Sequence, residues 1–312
     1  MLPYDQPLVT IAIPTRNRAD NYLKHTLTSA LNQTYQNVEI IVSDNCSDDD
    51  TKEVVAGMDA PNIRYFRHQA DIGANNNFNF SLKQAKGDYL LMLHDDDLID
   101  PDFVQVSMRA AAPNYDTGII RTGTRLIDGA GRVIVEIPNR ACDLALDEFF
   151  LAWFNNSTSL YLCSTLFHTN GLRAIGGFNS RHNLFQDVIA EVQLAARSGH
   201  KNVPDVKASS RKHRARNTDS ARVADWCEDS LLLLDLMCEL APKNKRLIRQ
   251  EGLRFLARLN YSRDKVHGSR FDRFLAYLTI YRRFNYRYIP PPVLKKLAAT
   301  PVYRRIRKHL KR

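Results

Sequence analysis

The chain has 312 residues, with 44 lysines and arginines against 34 aspartates and glutamates, a formal charge of +10, and 44% hydrophobic and 9% aromatic side chains. That composition supplies a core for one large domain or two smaller ones and excludes a globally disordered chain. The charge is segregated, net −8 over residues 1–200, neutral over 201–242 and +18 over 243–312, so an acidic body precedes a basic tail.

Val9 to Ile13 is a β-branched run closed by Pro14, Lys24 to Gln33 has helical spacing, and Val38 to Val42 is a second apolar run ending at Ser43-Asp44. A helix is predicted near Asp49 to Ala56, a strand at Ile63 to Phe66, a helix near Asn75 to Ala85 and a strand at Tyr89 to Leu93. Short apolar strands alternating with helices predict an α/β fold with a mainly parallel central sheet covered on both faces. In such sheets ligands bind beyond the carboxyl ends of the strands. Polar clusters fall at those ends: Thr15-Arg16-Asn17-Arg18 after the first strand, Asp44-Asn45 after the second, Arg67-His68 after the third and His94-Asp95-Asp96-Asp97 after the fourth.

Beyond Pro101 the spacing predicts a helix to about Ala112, a strand at Gly118 to Thr122, and a turn at Asp128 to Gly131 joining Arg125–Ile127 to Arg132–Ile137. A helix from about Leu146 to Asn155, a strand around Leu160 to Cys163, a loop at Gly176 to Asn179 and a helix from Phe185 to Arg197 follow. Ser209 to Ser220 reads as a polar, basic loop, and from Arg222 onward the spacing is helical with breaks at Pro242 and Pro290.

No stretch approaches the roughly 18 apolar residues of a membrane span. The opening MLPYDQPLVTIAIP lacks the basic flank and apolar run of a secretory leader, so a cytoplasmic location is expected. The cysteines at 46, 142, 163, 227 and 238 are odd in number and never form C-x-x-C, which argues against a zinc site or a disulfide framework.

Three adjacent carboxylates repel one another, and a hard divalent cation, Mg²⁺ or Mn²⁺, relieves that repulsion while bridging to nucleotide phosphates. A solvated turn with an Asp helix cap is the structural alternative for the triplet. Thr15 to Arg18 offers a hydroxyl, an amide and two guanidiniums to a base, ribose or phosphate, or else starts a capped helix. Asp44 offers a carboxylate to a base N–H, or caps a turn.

The order of these pieces carries a resemblance. VTIAIPTRNR at residues 9–18, SALNQTY at 29–35, EIIVSDNCSDD at 39–49, Gly73 to Asn77, AKGDY at 85–89 and the Asp triplet together resemble family 2 glycosyltransferases, closely over about residues 8–104 and more loosely over 105–220. The resemblance implies a GT-A fold, Rossmann-like, over residues 1–220, with a nucleotide-sugar half at about 1–104, an acceptor half at about 105–220, and a basic helical region at 221–312. It also implies an inverting, metal-dependent transfer of a sugar from a UDP-, GDP- or dTDP-linked donor. Thr15, Asn17, Arg18, Asp44, Arg67, Asp95 and Asp96 would lie around that donor, and Asp97, Asp95 and His213 would serve as metal ligands.

Inverting displacement needs a general base opposite the leaving nucleoside diphosphate. Asp187 takes the place of the family's Glu-Asp pair, with Gln186 standing where many relatives have Glu, and Glu191, one helical turn on, remains an alternative base or a surface residue. The Ser210–Asn217 loop supplies cations for the leaving group. Other histidines, His94 among them, show no ligand spacing and are expected to be structural.

In the tail, Phe271, Phe274, Leu275 and Leu278 fall on one helical stripe among basic residues. This predicts either a peripheral helix on the anionic inner face of the cell membrane or a subdomain packed on the catalytic body. No nucleic-acid-binding motif accompanies the charge. The acceptor expected is a lipid-linked saccharide of surface-polysaccharide assembly, such as O-antigen or capsule. A non-catalytic nucleotide-sugar-binding or scaffold protein of the same fold is the rival, for which an incomplete metal or base site would be the sign.

Overall fold

Every residue of β1 (Val9–Thr15) is buried in the computed structural model, as a strand covered on both faces requires. The structure describes residues 6–19, 21–113, 115–212, 221–263 and 270–290. β1 pairs in parallel with β2 (Val38–Asp44) on one side and β4 (Tyr89–Met92) on the other, and β2 pairs in parallel with β3 (Ile63–Arg67). The connections run through α1 (Asn21–Leu31), α2 (Thr51–Ala56) and α3 (Ala74–Gln84), so the predicted strand–helix alternation is present to within a few residues. Leu23, Leu27, Ile11, Ile13, Ile40 and Val42 share one core cluster with Tyr89, Leu91 and Phe103.

The remainder of the first compact unit, Met1–Arg216, extends this sheet with mixed directions. Its elements are β5 (Leu98–Ile99), α4 (Phe103–Ala111), β6 (Ile119–Ile127), β7 (Val133–Ile137), α5 (Leu146–Phe154), β8 (Thr165–His168), α6 (Thr169–Ala174), α7 (Gln186–Ser198) and β9 (His200–Arg211). The strand order is β3-β2-β1-β4-β8-β6-β9-β5, with β7 hydrogen-bonded to β6 through the predicted turn.

Three predicted boundaries are corrected. The two short runs at 118–122 and 125–127 form one strand, β6. The strand expected at Leu160 to Cys163 is replaced by a 3₁₀ turn at Leu162–Ser164, after which β8 begins. The loop predicted from Ser209 begins as strand, because β9 runs through Arg211. β9 was hidden by its composition: HKNVPDVKASSR has no apolar alternation, and Pro204 is accommodated where the register with β6 shifts between Arg121 and Gly123.

Two anchors fix the direction of α7. At its end the Gly118 N–H donates to Ser198 O at 3.1 Å, a contact only glycine permits, since a Cβ at Gly118 would lie 2.4 Å from Leu194 O. Two turns earlier Glu191 meets Arg121 of β6 at 3.1 Å. Since β8 is antiparallel to both β4 and β6, those two strands point the same way. The N-terminus of α7 therefore points toward the carboxyl ends of β4 and β6.

The second unit, Asn217–Arg312, is helical where described. It comprises α8 (Val223–Leu240), a 3₁₀ turn at Pro242–Asn244, α9 (Lys245–Arg263) and α10 (Arg270–Arg283). Trp226, Leu233, Leu234, Met237, Ile248, Leu256, Tyr261, Ile280 and Phe284 are buried. No helix among the described residues is long and apolar enough to cross a membrane.

Candidate active site

Thr15, Asp44 and Arg67 end three adjacent parallel strands in one register row. Asp44 is fully buried; its Oδ1 accepts from the Ser47 N–H at 2.8 Å and its Oδ2 from the Tyr65 hydroxyl at 2.5 Å. Arg67 lies 3.7 Å from the same Oδ2 and donates to Ser47 O at 2.7 Å. The loops after β1 and β2 are stitched together: the Asn17 N–H donates to Ser47 Oγ at 2.8 Å, Asn17 Oδ1 accepts from the Asp48 N–H at 2.9 Å, and the Arg18 N–H donates to Thr51 Oγ1 at 3.0 Å. Asn17 holds φ 52° and Cys46 φ 60°. Such left-handed residues cost backbone energy and bend the two loops over the strand ends. Arg16 is ion-paired to Asp71, whose Oδ1 also accepts from Asn45 Nδ2 at 2.6 Å.

The triplet after β4 splits its tasks. Asp95 faces Arg18, with Oδ1 3.4 Å from Nε. Loss of water raises the Asp95 carboxyl to about 6; Arg18 opposes the rise and Asp96 adds to it. Asp97 is buried, accepts from the Arg211 N–H at 2.8 Å, and places Oδ2 3.6 Å from His94 Nδ1. Loss of water opposes charge on His94, but Asp97, and then Asp96 and Asp95, raise its pKa to about 9. One donor atom each from His94, Asp96 and Asp97 lies within 4.8 Å of the others. Two carboxylates and an imidazole form a donor set that suits Mn²⁺ and accommodates Mg²⁺ through the oxygens.

His94 thus joins the carboxylates instead of serving as the structural residue expected, and Asp95, expected as a metal ligand, is turned to Arg18. The His94–Asp97 spacing, i to i+3, was the signal in the sequence. His213, the third expected ligand, lies outside the described residues, as does most of its loop. Arg211, expected in that loop among the cations for the leaving group, is a buried strand residue. Its Nε donates to Asp96 O at 2.8 Å, Nη1 to Asp128 O at 3.2 Å, and the guanidinium lies 4.6 Å from the Tyr22 ring centroid. Arg211 therefore braces the triplet against the β6–β7 turn and α1. Cys163, also unforeseen, is a fully buried thiol beside Asp97 whose pKa burial raises strongly.

Asp187 stands in the first turn of α7, partly exposed, at the helix end directed to the carboxyl ends of β4 and β6. Glu191 is neither a surface residue nor open to an acceptor. It has 0% exposure and pairs with Arg121, also at 0%. Burial raises the Glu191 carboxyl to about 8, with Arg121 opposing and Asp187 adding. Arg121 reaches Asn202 Oδ1 at 3.3 Å and Thr158 Oγ1 at 3.2 Å and stacks 5.1 Å from the Phe149 ring centroid. Two open cavities, about 350 and 470 Å³, share Arg125 and flank β9. Neither is lined by the triplet, so the donor groups and not cavity size mark the candidate site.

Residues 10–130 match the model of Glycosyl transferase family 2. The chain is 41% identical over 128 residues, 40% of its length and 21% of the relative's, to an uncharacterized glycosyltransferase of Rickettsia felis. It is 32% identical over 156 residues, 48% of its length and 49% of the relative's, to the GalNAc(5)-diNAcBac-PP-undecaprenol beta-1,3-glucosyltransferase of Campylobacter jejuni. The chain thus spans between a fifth and a half of these relatives. Among solved structures, S. aureus TarS 1-349 in complex with UDP-GlcNAc matches with TM-score 0.69 at 17% identity, covering 90% of this chain and 82% of that one. The mannosyltransferase PcManGT from Pyrobaculum calidifontis, in complex with GDP-Man and Mn²⁺, matches with TM-score 0.59 at 17% identity, covering 97% and 83%. These likenesses establish the fold, the GT-A arrangement expected from the sequence.

Proposed function

We propose that this chain, whose residues 10–130 belong to glycosyl transferase family 2, moves a sugar from a nucleotide-sugar to a saccharide hydroxyl with inversion, in assembly of a bacterial surface polysaccharide. The observation that carries the reading is the grouping of His94, Asp96 and Asp97 at the strand ends toward which the N-terminus of α7, carrying Asp187 in its first turn, points. Thr15, Asn17, Arg18, Asp44 and Arg67 hold the nucleotide over the row of strand ends, and Asp95 with Asp96 faces the ribose and sugar. A divalent cation held by His94, Asp96 and Asp97, with His213 two residues beyond Arg211, would supply positive charge to the departing diphosphate. Asp187 takes the proton of the acceptor hydroxyl on the opposite face, which sharpens the nucleophile. Arg211, through its N–H to Asp97, keeps that carboxylate oriented.

The printed name of the Campylobacter relative, a transferase acting on an undecaprenol-linked saccharide, supports a lipid-linked acceptor. A lipid-linked acceptor in turn favours a peripheral position on the inner membrane face, through the basic region at 221–312. The deciding experiment is a calorimetric or mass-shift screen of UDP-, GDP- and dTDP-sugars with Mn²⁺, repeated after chelation. Binding of one donor class that chelation abolishes supports the reading. A chain that binds no donor with metal present sinks it.

A further inference from the structure

α10 carries two apolar faces. One is used inside its own unit: Ile280 and Phe284 are buried, and Tyr277 meets Tyr261 edge-on with ring centroids 5.3 Å apart. The other is not. Phe271, Phe274, Leu275 and Leu278, spaced i, i+3, i+4 and i+7, are 66%, 59%, 44% and 47% exposed. A surface helix needs one apolar stripe to dock on its own core, and a contiguous second stripe left in water marks a surface made for something else.

We propose that this outer face of α10 is the element that docks on an anionic bilayer, with the helix lying in the plane of the interface and Phe271, Phe274, Leu275 and Leu278 entering the acyl boundary. This deepens the peripheral placement proposed above and rests on it. Charge selects the occupant. Arg273, Arg282, Arg283 and Arg287 are exposed on or just after the helix, and residues 243–312 carry net +18. The same face of a second copy brings the same basic region and is repelled, whereas anionic headgroups supply the counter-charge and the acyl boundary supplies the apolar phase. Arg282, eleven residues beyond Phe271, continues the stripe and ends it with a cation at headgroup level.

The test is co-sedimentation of the full chain with phosphatidylcholine vesicles with or without phosphatidylglycerol, beside sedimentation velocity without lipid. Wild type is expected to bind only the phosphatidylglycerol vesicles. Phe271→Ser with Phe274→Ser, both exposed and so tolerable to the fold, should lower the bound fraction about tenfold, and so should Arg282→Glu with Arg283→Glu. Phe274→Trp should shift its emission to the blue on vesicles and be quenched by brominated acyl chains.

Full binding by the Phe double variant, equal binding to neutral vesicles, or an unshifted Trp overturns the proposal. So does self-association that the Phe variant abolishes. Hydrolysis of a soluble nucleotide-sugar, measured on the same proteins, keeps the two readings apart. Vesicle binding without hydrolysis in any of them would sink the transferase reading and leave the surface, and the converse would sink the surface alone.

Discussion

Asp95, Asp96 and Asp97 crowd three carboxylates onto one partly open turn, with Arg18 and His94 as neighbouring cations, whereas Glu191 is sealed at 0% exposure against one guanidinium, that of Arg121. Both groupings sit on the same sheet, and both raise a carboxyl above its ordinary range, Asp95 to about 6 and Glu191 to about 8, chiefly through loss of water. They differ in crowding. The interior pair sets one carboxyl against one guanidinium, with Asn202, Thr158 and Phe149 completing the cation's surroundings. The turn crowds three carboxylates among Arg18, His94 and Arg211, and Asp96 adds to the rise at Asp95. Carboxylates crowded at the strand ends suit an external cation, while a one-to-one pair in the interior fixes where α7 lies.

The largest expected effect breaks the interior pair. Arg121→Ala leaves Glu191 buried without its partner and should cost about 3–5 kcal/mol of stability, read by urea unfolding. Arg121→Leu with Glu191→Leu should recover much of that loss, because removing both buried polar groups removes the desolvation as well. A single variant within about 1 kcal/mol of wild type would show that the pair does not hold α7.

Next in size is the carboxylate cluster itself. Asp97→Asn keeps an oxygen for the Arg211 N–H but removes the charge, and donor turnover with Mn²⁺ should fall roughly 10²- to 10³-fold. Turnover near the wild-type level would remove Asp97 from the metal assignment. Asp187→Asn should come third, losing roughly 10²-fold in transfer with donor affinity kept in a calorimetric titration. Normal transfer by that variant would move the base elsewhere, and Glu191, buried against Arg121, is not the place for it.

The contrast also explains what was legible. Three of the parallel strands, β1, β2 and β4, read correctly because they are buried over all or most of their length, so IAI, IIV and YLLM stand out as apolar runs, while the half-buried edge strand β3 read from its short run IRYF. Thr15, Asp44, Arg67 and the triplet then fell at carboxyl ends by topology alone. β9 did not read, since its pairing with β6 and β5 comes from backbone hydrogen bonds that leave no side-chain period. With β9 went the role of Arg211, which depends on a strand delivering it to Asp97 from 114 positions away. Glu191 misled for a related reason: a lone Glu on a helix is ordinarily solvated, and its partner Arg121 lies on another element 70 positions earlier.

The smallest effect, taken per pH unit, is a slope in pH. Glu191 has a folded-state pKa of about 8, raised by burial from 4.5. A carboxyl whose pKa is raised on folding binds its proton more tightly in the folded state. Its favourable contribution is therefore full below the unfolded pKa and is lost as pH rises toward the folded one. Between about pH 4.5 and 8 wild type should lose stability relative to Glu191→Gln, by at most about 1.4 kcal/mol per pH unit for one proton. The Asp95 carboxyl, raised to about 6, acts in the same direction over a lower window and is common to both proteins, so the difference between them isolates Glu191. Urea unfolding of both at pH 5.5, 6.5 and 7.5 reads that difference. Parallel pH profiles would mean that Arg121 keeps Glu191 ionised throughout, and the interior grouping would then be a charged pair at every working pH.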